Sequence, residues 1–189
     1  MDKKRKVILV TDGDSVAQRA VEEAARNVGG RCISRSGGNP TPITGNEIVN
    51  LVKTAKHDPV VVMVDDMGDS GTAQGEMALY ELANHPDIEI LGVVAVAANT
   101  PGVEGVKVDF SVTSQGQIYR GAVDKQGDKT NDNILYGDTV DIIDKCNNIP
   151  IIVGVGDIGK MHGRDNVEIG SPIVTKAMEE ILKKNGYTM

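Results

Sequence analysis

Tryptophan is absent from this 189-residue chain and Phe110 is its one phenylalanine, so large rings cannot organise the core. Aromatics make up 3% of the sequence against a hydrophobic fraction of 40%, which leaves packing to Val, Ile, Leu, Ala and Met. That composition suits buried parallel strands and helices that pack through small residues. Cysteine is also scarce. Cys32 and Cys146 have no close spacing, which excludes a CxxC redox pair and a cysteine zinc set, and both are expected as buried reduced thiols. No run approaches the roughly 20 apolar residues that span a bilayer. Lys3-Lys4-Arg5-Lys6 leads straight into a strand-like segment, so no signal peptide is expected. Positive charge is in deficit, with 20 Lys and Arg against 27 Asp and Glu and a net charge of −7. Overall acidity opposes approach to phosphate backbones, and a nucleic-acid partner is not expected. The basic tetrad offers an anionic membrane surface roughly 1 kcal/mol per charge, enough for peripheral contact only.

What is present reads as one domain of alternating strands and helices. Residues 7–11 are β-branched and apolar. Asp12-Gly13-Asp14 follows, then Val16, Ala17, Ala20, Val21, Ala24 and Ala25 at helical spacing, closed by Gly29-Gly30. Residues 31–34 suggest a second strand, and the turn-rich run from Ser36 to Pro42 a loop. Thr44 and Glu47 have capping-box spacing for a helix. Residues 60–64 form the most apolar strand of the first half and are expected centrally in the sheet. Met77, Ala78, Leu79, Leu82 and Ala83 mark another helix, and residues 88–98 another strand. Three strand-helix units in succession predict a three-layer, doubly wound α/β fold with a mainly parallel sheet. Alternation over residues 106–123 predicts an antiparallel hairpin insertion with one solvated face. Residues 127–133 read as a polar, mobile link, 139–146 as a short helix and 149–155 as a buried strand. Ser171-Pro172 reads as the cap and first position of a final helix reaching Lys184.

Loops that follow parallel strands gather at one edge of such a sheet, where ligands bind. Three of these loops carry acid or glycine: Asp12-Gly13-Asp14, the stretch from Asp65-Asp66 to Gly71, and Gly154-Val155-Gly156-Asp157-Ile158-Gly159. Converging carboxylates are costly unless offset, so Asp12, Asp14, Asp65 and Asp66 are candidate ligands for Mg²⁺ or Ca²⁺. The same residues can instead serve as helix caps and loop formers. The first two loops resemble the metal-binding motifs of Toprim domains. However, Asp12 stands where that pattern has Glu, and Met67 where it has a second Asp, so a metal ligand is missing and the general base is changed, which counts against phosphoryl transfer. Gly154, Gly156 and Gly159 match a dinucleotide fingerprint, but a polar stretch, residues 160–170, follows where the fingerprint needs a helix. With Asp157, Lys160 and Arg164 those glycines make a candidate small-anion site. His57, His85 and His162 lie in predicted loops, and no catalytic constellation is complete.

Several segments in order carry a specific resemblance over nearly the whole chain. They are Thr11-Asp12-Gly13-Asp14 after its strand, Gly29-Gly30-Arg31-Cys32-Ile33-Ser34, Gly38-Asn39-Pro40-Thr41 and His85-Pro86-Asp87-Ile88-Glu89. The series continues with Gly137-Asp138-Thr139, the run from Pro150 to Met161, and Gly163-Arg164-Asp165. Together they resemble the soluble stage V sporulation protein AE family of endospore formers. The resemblance implies a non-enzymatic accessory of the system that moves calcium dipicolinate across the spore inner membrane. Implied partners are membrane-embedded spore transport proteins, with calcium dipicolinate as a candidate ligand, and the implied location is the inner-membrane periphery in the developing spore. No catalytic residues carry over. The loops at residues 36–41 and 160–170 are the expected contact surfaces.

Overall fold

The computed structural model describes residues 3–68 and 73–188; Asp69, Ser70 and Gly71 of the second acidic loop lie outside the described residues. In chain order the elements are β1 (Arg5–Val10), α1 (Ser15–Asn27), β2 (Arg31–Cys32), α2 (Gly45–Thr54), β3 (Val60–Met63), α3 (Gln74–Asn84) and β4 (Ile88–Val96). Then follow β5 (Val106–Lys107), β6 (Phe110–Val112), β7 (Ile118–Tyr119), β8 (Ile134–Leu135), β9 (Ile152–Val155) and α4 (Pro172–Lys184). Seven strands form one sheet in the order β2-β3-β1-β4-β9-β6-β7, parallel throughout except for the β6-β7 pair.

Strand periodicity sorts the core into two halves. On β1, Val7 and Leu9 pack with Ile48, Val49 and Val52 of α2 and Leu79 and Leu82 of α3. Ile8 and Val10 pack on the other face, with α1 and with Ile173, Met178 and Ile181 of α4. The buried stripe of α1, Ala17, Ala20, Val21, Ala24 and Ala25, is made of small side chains, which lets the helix lie close to the sheet. The capping box of α2 forms as expected. The Thr44 hydroxyl accepts from Glu47 N, and the Glu47 carboxylate accepts from Thr44 N at 2.8 Å.

Several expectations are corrected. The strand at residues 60–64 is buried and flanked on both sides, but the middle strand of the sheet is β4, between β1 and β9, and β3 lies one strand from the edge. Residues 106–123 do not form one inserted hairpin. β5 pairs with β8 in a separate two-stranded sheet, while β6 and β7 make the hairpin as part of the main sheet. The break falls at Asp109, whose N–H donates to Ile152 O and whose carboxylate accepts from Ile152 N at 2.7 Å, binding the chain to β9. The polar side of this stretch is solvated only at its start: Lys107 and Asp109 are exposed, but Ser111 is fully buried and donates to Gly121 O at 2.7 Å, and Thr113 is buried too. Within residues 139–146 only the 3₁₀ turn Ile143–Lys145 is helical. The link at residues 127–133 is held at its start by Asp124, whose carboxylate accepts from Gln126 N and Asp128 N. Cys146 is buried as expected, but Cys32 is half-buried.

The polar loop after β9 also hides a structural acid. Asp165 is fully buried, and its carboxylate accepts from Ile173 N at 2.8 Å, Val174 N at 3.1 Å and Gly159 N at 2.9 Å. It, not Ser171, caps α4. Ser171 has a left-handed backbone, φ 47°, makes no side-chain cap bond, and its buried hydroxyl has no partner among the described residues.

Candidate functional site

β1 and β4 are neighbours in space, yet α1, β2, α2, β3 and α3 intervene between them in the chain. Because α1 packs on one face and α2 and α3 on the other, the chain leaves β1 and reaches β4 from opposite faces. A crevice therefore opens beyond the carboxyl ends of these strands, where open α/β sheets bind ligands. The cavity there has a volume of about 170 Å³. Thr11, Asp12 and Asp14 enter it from β1, Asn39 from the loop beyond β2, and Asp65 from β3. The Val96–Ala98 backbone stretch, Asp138, Lys125, Asp157 and Lys160 complete the lining.

Each acid has a distinct local duty. Asp12 is 9% exposed and accepts from Gly13 N at 2.8 Å. Burial, reinforced by Asp14, Asp65 and Asp157, pushes its carboxyl up to about 8. Asp65 accepts from Gly13 N at 3.1 Å and Met67 N at 3.0 Å, and burial pushes it up to about 6 despite those bonds. Thus a single N–H, that of Gly13, joins Asp12 to Asp65. Gly13 has no room for a side chain, since a Cβ there would meet Gly38 O at 2.6 Å. Asp14 caps α1 through Val16 N and Ala17 N, and its other oxygen lies 3.1 Å from Lys160 Nζ. Burial would raise its pKa, but the Ala17 N–H and the lysine outweigh it and hold the carboxyl below its ordinary value. Asp157 lies 3.2 Å from Lys160 Nζ and 3.8 Å from Lys125 Nζ. The loop of Lys125 is fixed to it by a bond from Asp157 N to Lys125 O at 2.8 Å. Burial raises the pKa of Asp138, and its Oδ1 is buried with no partner among the described residues.

One carboxylate oxygen each from Asp12, Asp14 and Asp157 lies within 4.8 Å of the other two. At that separation two like charges repel by roughly 3 kcal/mol at an effective dielectric near 20. Two devices offset the repulsion: Asp12 takes up a proton, and Lys160 sits between Asp14 and Asp157, whose bonds raise its own pKa against the effect of burial. A hard divalent cation would do the same work, because Mg²⁺ and Ca²⁺ take carboxylate oxygens and retain water. Lysines beside such a cation also suit an anionic chelator carried with it.

Of the residues singled out from sequence, Asp12, Asp14, Asp65, Asp157 and Lys160 come together here. Asp66 does not. Its carboxylate accepts from Gly75 N at 2.6 Å, Glu76 N at 3.1 Å and the Thr139 hydroxyl at 2.8 Å, so it anchors the start of α3. The glycines are packing positions: a Cβ on Gly154 would strike the Ser111 hydroxyl, one on Gly156 would meet Gly127 N at 2.6 Å, and one on Gly159 would meet Val16 Cγ1 at 2.9 Å. Arg164 is exposed and does not line the cavity. Met67 is 65% exposed, and the third acid of the cluster comes from Asp157 after β9. In the loop at residues 36–41, Ser36 and Thr41 face inward. Ser36 bonds Ile33 O and Met63 N, and Thr41 bonds the backbone of Asp65, which leaves Asn39 as the loop's residue in the cavity. Sequence reasoning missed Lys125, Asp138 and Asn39 as parts of this site. Asp138 had a visible signal, an acid flanked by Gly137 and Thr139 in a turn; Lys125 had none.

The family model described as stage V sporulation protein AE1 matches residues 6–185, nearly the whole chain. No curated protein and no solved structure matches it.

Proposed function

The chain belongs to the stage V sporulation protein AE1 family, which ties it to sporulation, and on that premise we propose that it is a non-enzymatic accessory of calcium-dipicolinate transport in the developing spore. The observation that carries this reading is the cavity in which Asp12, Asp14 and Asp157 lie beside Lys160 and Lys125. Carboxylates match the calcium of such a complex and ammonium groups match its dicarboxylate, so the two halves of one ligand find opposite charges in one crevice. The Thr11 hydroxyl in this cavity is engaged by Val96 N at 3.0 Å, and the remaining polar groups are carboxylates, amines and an amide. Such a set supports holding and releasing a ligand over covalent chemistry. Among the described residues no helix is long and apolar enough to cross a membrane. In this reading the chain works at the spore inner membrane through membrane-embedded transport proteins, with Lys3, Lys4 and Lys6 adding weak attraction to anionic lipid.

Affinity capture of the tagged chain from detergent-solubilised spore inner membranes tests this role. The expected result is recovery of the dipicolinate transport proteins, together with an altered dipicolinate content in spores that lack the chain. Spores of normal content, with no transport protein recovered, would refute it.

A further inference from the structure

β2 is the terminal strand of the seven-stranded sheet and pairs on one side only, with β3. The N–H groups of Arg31 and Ile33 donate to Pro59 O at 2.8 Å and Val61 O at 2.9 Å. Strand alternation therefore turns the N–H and C=O of Cys32 to the open side. Beside that edge runs a groove of about 350 Å³, bounded by Arg31 to Arg35 on one wall and by the last turn of α2 on the other. Its floor is apolar: Ile33 is buried, and Leu51 and Ala55 pack half-buried against the core.

The charge along the groove has one sign. Arg31, Arg35 and Lys56 line it, and no carboxylate does. All three are exposed, and none has a salt bridge or a side-chain hydrogen bond among the described residues. Glu47 senses Arg35, but its carboxylate is committed to the cap of α2. Burial pushes the Cys32 thiol up to about 12, so the strand adds no thiolate to the groove. In a chain of net charge −7, three unpaired cations along an open strand edge are a local reversal of the protein's field.

We propose that this groove receives an extended acidic segment of a partner protein, added as a further strand on β2. Its main chain bonds the free N–H and C=O of Cys32, its apolar side chains lie on Ile33 and Leu51, and its carboxylates meet Arg31, Arg35 and Lys56. The site lies at the sheet edge, uses none of the cavity residues, and stands whether or not that cavity binds calcium dipicolinate.

Fluorescence anisotropy with a short labelled peptide alternating Glu and Val tests the proposal. Saturable binding is expected, weakening as salt is raised and falling by about ten-fold or more in the double variant Arg31→Glu, Lys56→Glu. Asp14→Ala, in the cavity, should leave it unchanged. The same peptide with N-methyl groups on the amides that face the edge keeps its charge and loses its strand pairing, and should bind at least about ten-fold more weakly. Equal binding of the N-methylated peptide, or equal competition by citrate, would make this a small-anion site and overturn strand addition. Absence of peptide binding would mean that the cations only shield an open edge from self-association.

Discussion

Replacing Asp165 by alanine is expected to cost roughly 3–5 kcal/mol of folding stability, because one truncation strands two buried donors at about 1–3 kcal/mol each and frees the partly buried Gly159 N–H as well. Its carboxylate serves two amides at the start of α4 and the Gly159 N–H, thereby joining the loop after β9 to the helix that covers one sheet face. Those amides have no carbonyl partners within the helix, so the acid is what satisfies them. Ser171→Ala supplies the contrast. It removes a buried hydroxyl that has no partner among the described residues, so stability should equal the parent's or exceed it, by up to about 1–3 kcal/mol. Urea unfolding of both variants, compared at constant slope, measures the difference. A loss at Asp165 below about 1 kcal/mol would show that the loop does not depend on this cap.

Asp12→Asn is expected to stabilise the protein in neutral to mildly alkaline solution, by several kcal/mol near pH 8 in the absence of divalent metal. The sign follows from a folded-state pKa of about 8 against an ordinary value of 3.8. The folded protein holds a proton that the unfolded chain has lost, so the contribution of Asp12 is greatest near pH 4 and declines as pH rises to about 8. A single group gives a slope of at most ~1.4 kcal/mol per pH unit. Asparagine keeps the oxygen that accepts from Gly13 N and cannot ionise, so the variant should lose this part of the pH dependence. Asp65, at about 6, titrates inside the same window, and the slope that remains in the variant belongs partly to it. Thermal melts of parent and variant from pH 4 to pH 8 measure the effect. Parallel curves would contradict the cost assigned to an ionised Asp12.

Much of the fold was legible because its signals are local and repeated. The β-branched run of β1, the alanine stripe of α1 and the Thr44–Glu47 box each specify an element within a few residues, and the succession of units specifies a parallel sheet. Tertiary choices were less visible. Alternation over residues 106–112 shows an extended chain, but Asp109 and Ile152 decide where it leaves β8 and joins β9. Ser171-Pro172 satisfies the local rule for a helix start, yet a left-handed backbone directs the serine elsewhere and an acid from the preceding loop takes over. Asp65 and Asp66 adjoin at the end of one strand and are indistinguishable in sequence. Strand alternation sends the first into the cavity and the second to the amides of α3. Nothing local could associate Lys125 with Asp157, because a backbone bond between distant segments sets their proximity.

Calorimetric titration with calcium dipicolinate, set beside calcium chloride and sodium dipicolinate alone, tests the central claim most directly. The paired-charge cavity predicts saturable binding of the complex that exceeds binding of either component. That binding should fall by about ten-fold or more in Asp14→Asn and in Lys160→Met, each of which removes one half of the charge match. Equal affinity of both variants for the complex, or no heat from the complex where calcium alone binds, would contradict it.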